Sequence, residues 1–240
     1  VKTHVKSSSP AGAPRLPATS GFRTLRLGRV AYRKALSLQE ELLSRRPEWD
    51  YDLLILLEHD PVITAGRSTD KRHLLASPQR LADAGIDYHE IGRGGDLTFH
   101  GPGQLVGYPL IDLTICGRDL HLYLRRLEAV ILRTLAAFGL EGGVQAGRTG
   151  VWLGDRKIAS IGVGVRRWIS WHGFALNIGN DLGGFEMIVP CGLPDARMTS
   201  MAQALQRDVD LPAVSRRITE TFAEVFNLPY LGEFQGDSES

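Results

Sequence analysis

The chain has 240 residues, enough for one large domain or two small ones with a sizeable core. A formal charge of +1 with 23% charged residues excludes the chain-wide basic field that nucleic acid or membrane binding would use, so an acidic partner must be met by a local patch. Two cysteines cannot form a disulfide framework, and no apolar run approaches the ~18 residues of a membrane span, so a cytoplasmic protein with reduced thiols is expected; no coiled-coil heptad demands a dimer, and a monomer is expected.

Residues 1–21 are rich in Ser, Pro and Ala and lack the apolar run of a signal peptide. They are expected to be a flexible arm ahead of one domain over 22–231 and a solvated tail over 232–240. "RVAYRKALSLQEELLSRR" sets Tyr32, Ala35, Leu36, Leu38 and Leu42 at the period of an amphipathic helix. "YDLLILLEH" predicts a strand buried on both faces, "SPQRLADAG" a short helix between a serine cap and a glycine stop, and "IDYHEI" a strand. In "RDLHLYLRRLEAVILRTLAAFG" the three-four spacing of Leu120, Leu124, Leu127, Ile131, Leu135 and Phe138 predicts a helix across a sheet, stopped by Gly139. "GVWLG", the turn residues "GDR", "KIASIGVGV" and "ISWHGFALNI" then read as a β-meander. A last helix over "PAVSRRITETFAEVF" starts at Pro212 and buries Val214, Ile218, Phe222 and Val225.

Three stretches carry candidate chemistry. "GRGGDLTFHGPGQLVGYP", residues 92–109, is a glycine-rich loop around His100 that lets backbone approach a ligand closely; it is neither a Walker A loop nor a Rossmann fingerprint. In "GDRKIASIGVGV", strict alternation puts Lys157, Ala159 and Ile161 on one face and Ile158, Ser160 and Gly162 on the other. Taken alone, a lysine beside a hairpin turn is an ordinary edge residue, but the small residues Ser160, Gly162 and Gly164 inside a strand imply that something comes close. In "IVPCGLPD", Pro190 and Gly192 make a stiff then permissive turn that presents Cys191 instead of packing it, whereas Cys116 reads as a small buried hydrophobe. No C-x-x-C or H-x-x-x-H pair occurs, so no metal site is expected.

Together these stretches resemble the lipoyl(octanoyl) transferase family, the protein N-octanoyltransferases of lipoate biosynthesis, over about residues 22–230. "RGGDLTFHGPGQLVGYP" is similar to the family's R-G-G-x-x-T-x-H-G-P-G-Q-L-V-x-Y-P signature, "GVWLGDRKIASIGV" to its G-V-W/Y and K-I/V-A-x-I/L-G, "HGFALN" to its H-G-x-A-L-N and "IVPCGL" to its I-x-P-C-G. The resemblance implies an α/β (α+β) single domain, a mixed β-sheet flanked by helices of the biotin/lipoate protein ligase type. It implies that an octanoyl group moves from octanoyl acyl carrier protein, through a thioester on Cys191 with Lys157 as activating partner, to a lysine of lipoyl domains. Those acceptors are the E2 subunits of 2-oxoacid dehydrogenases and the glycine cleavage H protein. Carried over by position, the substrate-binding residues are Arg93, Gly94, Gly95, Asp96, Leu97, Thr98, Phe99, His100, Ser160, Ile161, Gly162, Gly173, Phe174 and Ala175.

The chemistry is consistent with that reading. A cation beside a thiol raises the thiolate fraction, and one thioester replaces another before an amide forms downhill, so no ATP or other cofactor is expected. The glycines Gly94, Gly95, Gly162 and Gly173 are expected to leave room for the acyl chain, and Arg93, Arg166 and Arg167 to ring the mouth for an acidic carrier. An ATP-dependent lipoate or biotin ligase of the same fold is the alternative enzyme; the Pro-Cys-Gly turn favours the transferase, because adenylation needs no nucleophilic cysteine. A non-catalytic acyl-binding module and a papain-like hydrolase using His100 are weaker readings.

Overall fold

The computed structural model describes residues 19–235, so the expected arm, apart from Thr19 to Gly21, lies outside the described residues. β1 (Phe22–Val30) leads through Ala31 into α1 (Tyr32–Arg45), and β2 (Asp52–His59) follows, buried along its length save for Glu58. A two-residue step gives β3 (Val62–Ala65). α2 (Pro78–Asp83) begins where the Ser77 hydroxyl accepts the Arg80 N–H, with Pro78 preset at its first turn. β4 (Asp87–Glu90), β5 (Leu97–His100) and β6 (Gln104–Leu110) come next.

α3 (Leu120–Ala137) is capped by Asp119, whose carboxylate accepts the N–H groups of His121 and Leu122. β7 (Gly143–Gln145), β8 (Arg148–Leu153), β9 (Arg156–Arg166) and β10 (Ile169–Asn177) form the expected meander, with one short strand, β7, ahead of it. β11 (Arg197–Met198), α4 (Met201–Leu205), α5 (Leu211–Phe226) and β12 (Tyr230–Glu233) complete the described chain. The last strand runs two residues past the expected domain end. Phe234 then packs against Trp49, and its N–H donates to Thr24, so residues 232–234 belong to the folded unit.

The large mixed sheet has the order β12-β1-β2-β6-β10-β9-β8-β7, with β11 pairing parallel to β9. A second sheet, β4-β3-β5, takes the first half of the glycine-rich stretch in β5, and the second half continues into β6 of the large sheet. One face of the large sheet packs on α3 and α5 through Leu54, Leu56, Leu127, Ile131, Ile218 and Phe222; the other packs on α1 through Leu53, Ile55, Ala35 and Leu42. The helix periods are those of the sequence, with two corrections. Phe226, not Val225, is the fully buried residue at the end of α5, and Leu120, at 40% exposure, is outside the core. Leu120 instead faces the cavity described below, while Tyr123 in the same turn is buried.

His59 on the large sheet, His100 on the small one and His172 on β10 are buried where the sheets meet. His59 Nδ1–H donates to the Val30 carbonyl at 2.8 Å, which leaves Nε2 to accept the Tyr108 hydroxyl at 2.7 Å. The Tyr32 ring lies 5.1 Å from His59 and 6.3 Å from His100. Burial, the first cause in each case, lowers the pKa of His59 to about 4 and those of His100 and His172 to about 3. Unfolded histidine titrates near 6.5, so below that pH the unfolded chain gains protons that the folded chain refuses, at up to about 1.4 kcal/mol per pH unit for each group. Stability is therefore complete above pH ~6.5 and falls toward the folded values. Urea unfolding at pH 7, 6 and 5 should show a steep decline that His59→Gln flattens; a stability curve level from pH 7 to 5 contradicts neutral burial of these rings.

Candidate active site

Cys191 sits in a short 3₁₀ turn, Pro190–Gly192, with φ 55° and ψ 23°, in the left-handed region that costs a non-glycine residue about 1–2 kcal/mol. Its Sγ receives a hydrogen bond from Lys157 Nζ at 3.2 Å, and Ser160 Oγ lies 3.9 Å from the same sulfur. Strict alternation puts residues 157 and 160 on opposite faces. The ladder between β8 and β9 resolves this, because pairing passes from Val151↔Ala159 to Trp152↔Lys157 and leaves Ile158 as an extra residue. This β-bulge re-aims Lys157 to the face of Ser160, which corrects the alternation expected from the sequence.

Lys157 is 1% exposed, far from the solvated edge position its sequence context suggested. Its stem crosses Gly150, where a Cβ would stand 2.7 Å from Lys157 Cε, and its Nζ lies 5.5 Å from the centre of the Trp152 ring. Behind Gly150, whose N–H donates to Glu128 Oε1 at 3.2 Å, stands a buried carboxylate that the sequence reading missed. Glu128 also pairs with Arg125 at 2.6 Å, and burial raises its pKa.

The glycine-rich segment lies flat against β9. Gly94 N–H donates to Val163 O at 2.9 Å, and a Cβ on Gly162 would meet Arg93 Cδ and Gly94 O at 3.0 Å. A Cβ at Gly162 would meet Arg93 and one at Gly173 the Gly107 backbone and Pro109, so close chain packing is one requirement for these glycines, and both also line the cavity. Arg93 does not ring the mouth. It is 7% exposed and donates to Gly94 O, Thr64 O and Thr64 Oγ1, and burial lowers its pKa against the opposing pull of Cys191. Arg166 and Arg167 are exposed at the β9–β10 turn, with Arg118 5.8 Å over the neighbouring Trp168 ring.

Asp96 turns back on the chain, accepting the Leu97 N–H through Oδ1 at 2.7 Å and the His73 ring N–H through Oδ2. His73 had no signal in the sequence; it belongs to the 3₁₀ turn Lys71–His73 and reaches the site only through the fold. The Gly192 N–H, a candidate for stabilising an oxyanion, already donates to Val189 O at 3.1 Å.

A cavity of about 380 Å³ opens from Cys191 and Lys157, at the small end of the ~300–1,000 Å³ usual for ligand sites. Of the residues carried over from the motifs, Arg93, Gly94, Gly95, Asp96, Thr98, His100, Ser160, Ile161, Gly162, Gly173, Phe174 and Ala175 line it. Leu97 and Phe99 alternate away and pack with Ile63, Leu81 and Phe185. Leu120, Leu124, Val163 and Leu193 add apolar wall beyond the carried-over residues. His100 is held by Gln104 at 2.8 Å, and the sulfur's side-chain partners among the described residues are Lys157 and Ser160. That arrangement gives no support to a Cys–His hydrolase.

Comparison with known proteins adds the family. A family model described as the lipoyl protein ligase A/B catalytic domain matches residues 31–223. An octanoyltransferase of Solibacter usitatus is 49% identical, covering 85% of this chain and 93% of its own, and one of Geobacter metallireducens is 46% identical, covering 85% and 94%. Among solved structures, a bipartite lipoate protein ligase from Thermoplasma acidophilum aligns with a TM-score of 0.71 at 16% identity over 91% of this chain and 88% of that one. A biotin protein ligase from Aquifex aeolicus aligns at 0.53 and 15% over 85% and 70%; both likenesses speak to the fold alone. With the matched domain spanning most of the described residues, the chain belongs to the lipoyl protein ligase A/B catalytic domain family.

Proposed function

We propose that this chain transfers an octanoyl group from octanoyl acyl carrier protein to a lysine of lipoyl domains through a thioester on Cys191, with Lys157 as its proton partner. The observation that carries the reading is the buried lysine in hydrogen-bond contact with a half-buried thiol at the mouth of an apolar-walled cavity. Octanoyl transfer itself follows from the octanoyltransferase relatives at 40–49% identity. The carrier donor, the lipoyl domains of 2-oxoacid dehydrogenases and glycine cleavage H protein as acceptors, and a cytoplasmic setting are parts of the proposal.

In the first half, the Cys191 sulfur attacks the thioester carbonyl carbon while Lys157 holds the displaced proton, and the tetrahedral intermediate expels the pantetheine thiolate. That thiolate takes the proton from Lys157 as it leaves. In the second half, the acceptor amine attacks the Cys191 thioester, the C–S bond breaks, and the amine's surplus proton passes to Lys157 and on to the sulfur. Ser160 Oγ and Lys157 Nζ, both aimed at the reacting sulfur, are placed beside charge as it develops there.

Intact mass after brief mixing with octanoyl acyl carrier protein, ATP omitted, should show one octanoyl adduct on the Cys191 peptide, and Cys191→Ala should give neither adduct nor transfer. Transfer by that variant, or a requirement for ATP, refutes the covalent reading. Lys157→Arg keeps a fixed positive charge but gives up a group that can lose its proton. It should form the thioester slowly and then stall with acyl-enzyme accumulated; discharge to the lipoyl domain at the normal rate shows that Lys157 acts by charge alone.

Exposed Arg166 and Arg167, joined by Arg118, are the basic residues of the proposal that meet the carrier. Charge reversal at Arg166 and Arg167 should slow transfer from the carrier and flatten its salt dependence while leaving a small octanoyl thioester unaffected. An unchanged salt dependence removes this turn from the docking surface.

A further inference from the structure

Cys191 carries the conformational cost of a left-handed backbone, and contacts from outside its turn converge on the residues around it. His73 meets the chain on both sides of it, by a hydrogen bond to Val189 and by the approach of its ring to Gly192. On one side the Val189 N–H donates to the His73 carbonyl at 2.7 Å, continuing a short pairing in which Leu74 bridges Ile188 and the N–H groups of Leu75 and Ala76 donate to Met187 O. On the other, the His73 ring and Asp96 carboxylate close over Gly192. A Cβ on Gly192 would stand 2.8 Å from Asp96 Oδ2 and 3.2 Å from His73 Cε1, and its φ of 68° is a second reason for glycine. Asp96 is itself fixed, 8% exposed, with one oxygen on its own chain's Leu97 N–H and the other on His73.

We infer that His73 and Asp96 act as a positioning clasp, holding the Cys191 turn in its left-handed form so that the sulfur stays within hydrogen-bond reach of Lys157. Because Asp96 also lines the cavity, the clasp ties the acyl-binding loop to the nucleophile. Neither residue is among the hydrogen-bond partners of the sulfur; both act through the backbone that carries it. The clasp rests on Cys191 being the nucleophile, and wild-type acylation is the separate control for that reading. If wild-type Cys191 takes no octanoyl group, the function has failed; if it does, the comparison of variants judges the clasp alone.

The test uses His73→Leu and His73→Asn in the full chain, since asparagine can keep a donor where Nδ1 stood and leucine cannot. Two rates are read: iodoacetamide alkylation mapped to the Cys191 peptide, and single-turnover acylation by octanoyl-pantetheine. His73→Leu should melt within a few degrees of wild type yet alkylate about tenfold more slowly, as expected of a thiol that has lost its cationic neighbour. Its acylation should fall by roughly a hundredfold, the scale of a misplaced reacting group, with the KM for the thioester unchanged. His73→Asn should recover most of both rates. Should His73→Leu fail to fold, Asp96→Asn takes its place, and both rates are expected to fall. Wild-type rates in a folded leucine variant, or in Asp96→Asn, overturn the clasp. So does an asparagine variant as slow as leucine. An asparagine variant that acylates normally but cannot discharge to the lipoyl domain also overturns it, because His73 is then a base and not a support.

Discussion

Placing a lysine ammonium against a cysteine sulfur inside a protein meets two physical obstacles, and much of the described architecture answers one or the other. The first is direction. Lys157 lies on a strand whose regular alternation aims it away from Ser160, and the extra residue Ile158 reverses that aim. The bulge needs support on both sides: β8 shifts register across it, and β11 takes over beside residues 156–157, where β10 has ended. Thr199 N–H donates to Lys157 O at 3.0 Å, so the lysine's main chain is held by residues just beyond the Cys191 turn.

The second obstacle is desolvation, which costs several kcal/mol for a buried ammonium unless partners replace water. Around Lys157 the replacements are the Cys191 sulfur, the face of Trp152 and, across Gly150, the Glu128 carboxylate backed by Arg125. The glycine of the "GVW" motif keeps this set together, because any side chain there would run into the lysine stem. Arg93 follows the same economy. A guanidinium in the protein interior is tolerated because backbone and threonine oxygens from two segments receive it, and in doing so it binds the loop to the small sheet.

The helices and the central strands could be read from periodicity because each buries a face against one large sheet, and Ser77, Pro212 and Gly139 punctuate them by local rules. β1 escaped the reading: "FRTLRLGRV" sets an arginine every third residue, which is no strand period, and only pairing with β12 and β2 makes it one, with much of its surface still open. At the site, the motifs led to Cys191, Lys157 and most of the cavity wall. They could not separate Leu97 and Phe99 from their neighbours, since the inward or outward sense of a short strand depends on which sheet it joins. His73 and Glu128 were invisible for a plainer reason. A histidine after "DKR" and a glutamate within "RRLEAV" look like surface charge, and only distant contacts give them a role. The glycines of the motifs were legible as places of close approach, and the structure adds the neighbours, Arg93, Gly107 and Pro109, that crowd two of them.

The contact between Lys157 and Cys191 spans 34 positions, and the segment that fixes the lysine's backbone lies beyond the cysteine. During synthesis the lysine therefore emerges first, the cysteine second and β11 last. Until Thr199 has been made, the main chain of Lys157 lacks that partner. The contact between the two side chains is thus a product of chain order, completed only once the segment beyond the cysteine is available to hold the lysine's backbone.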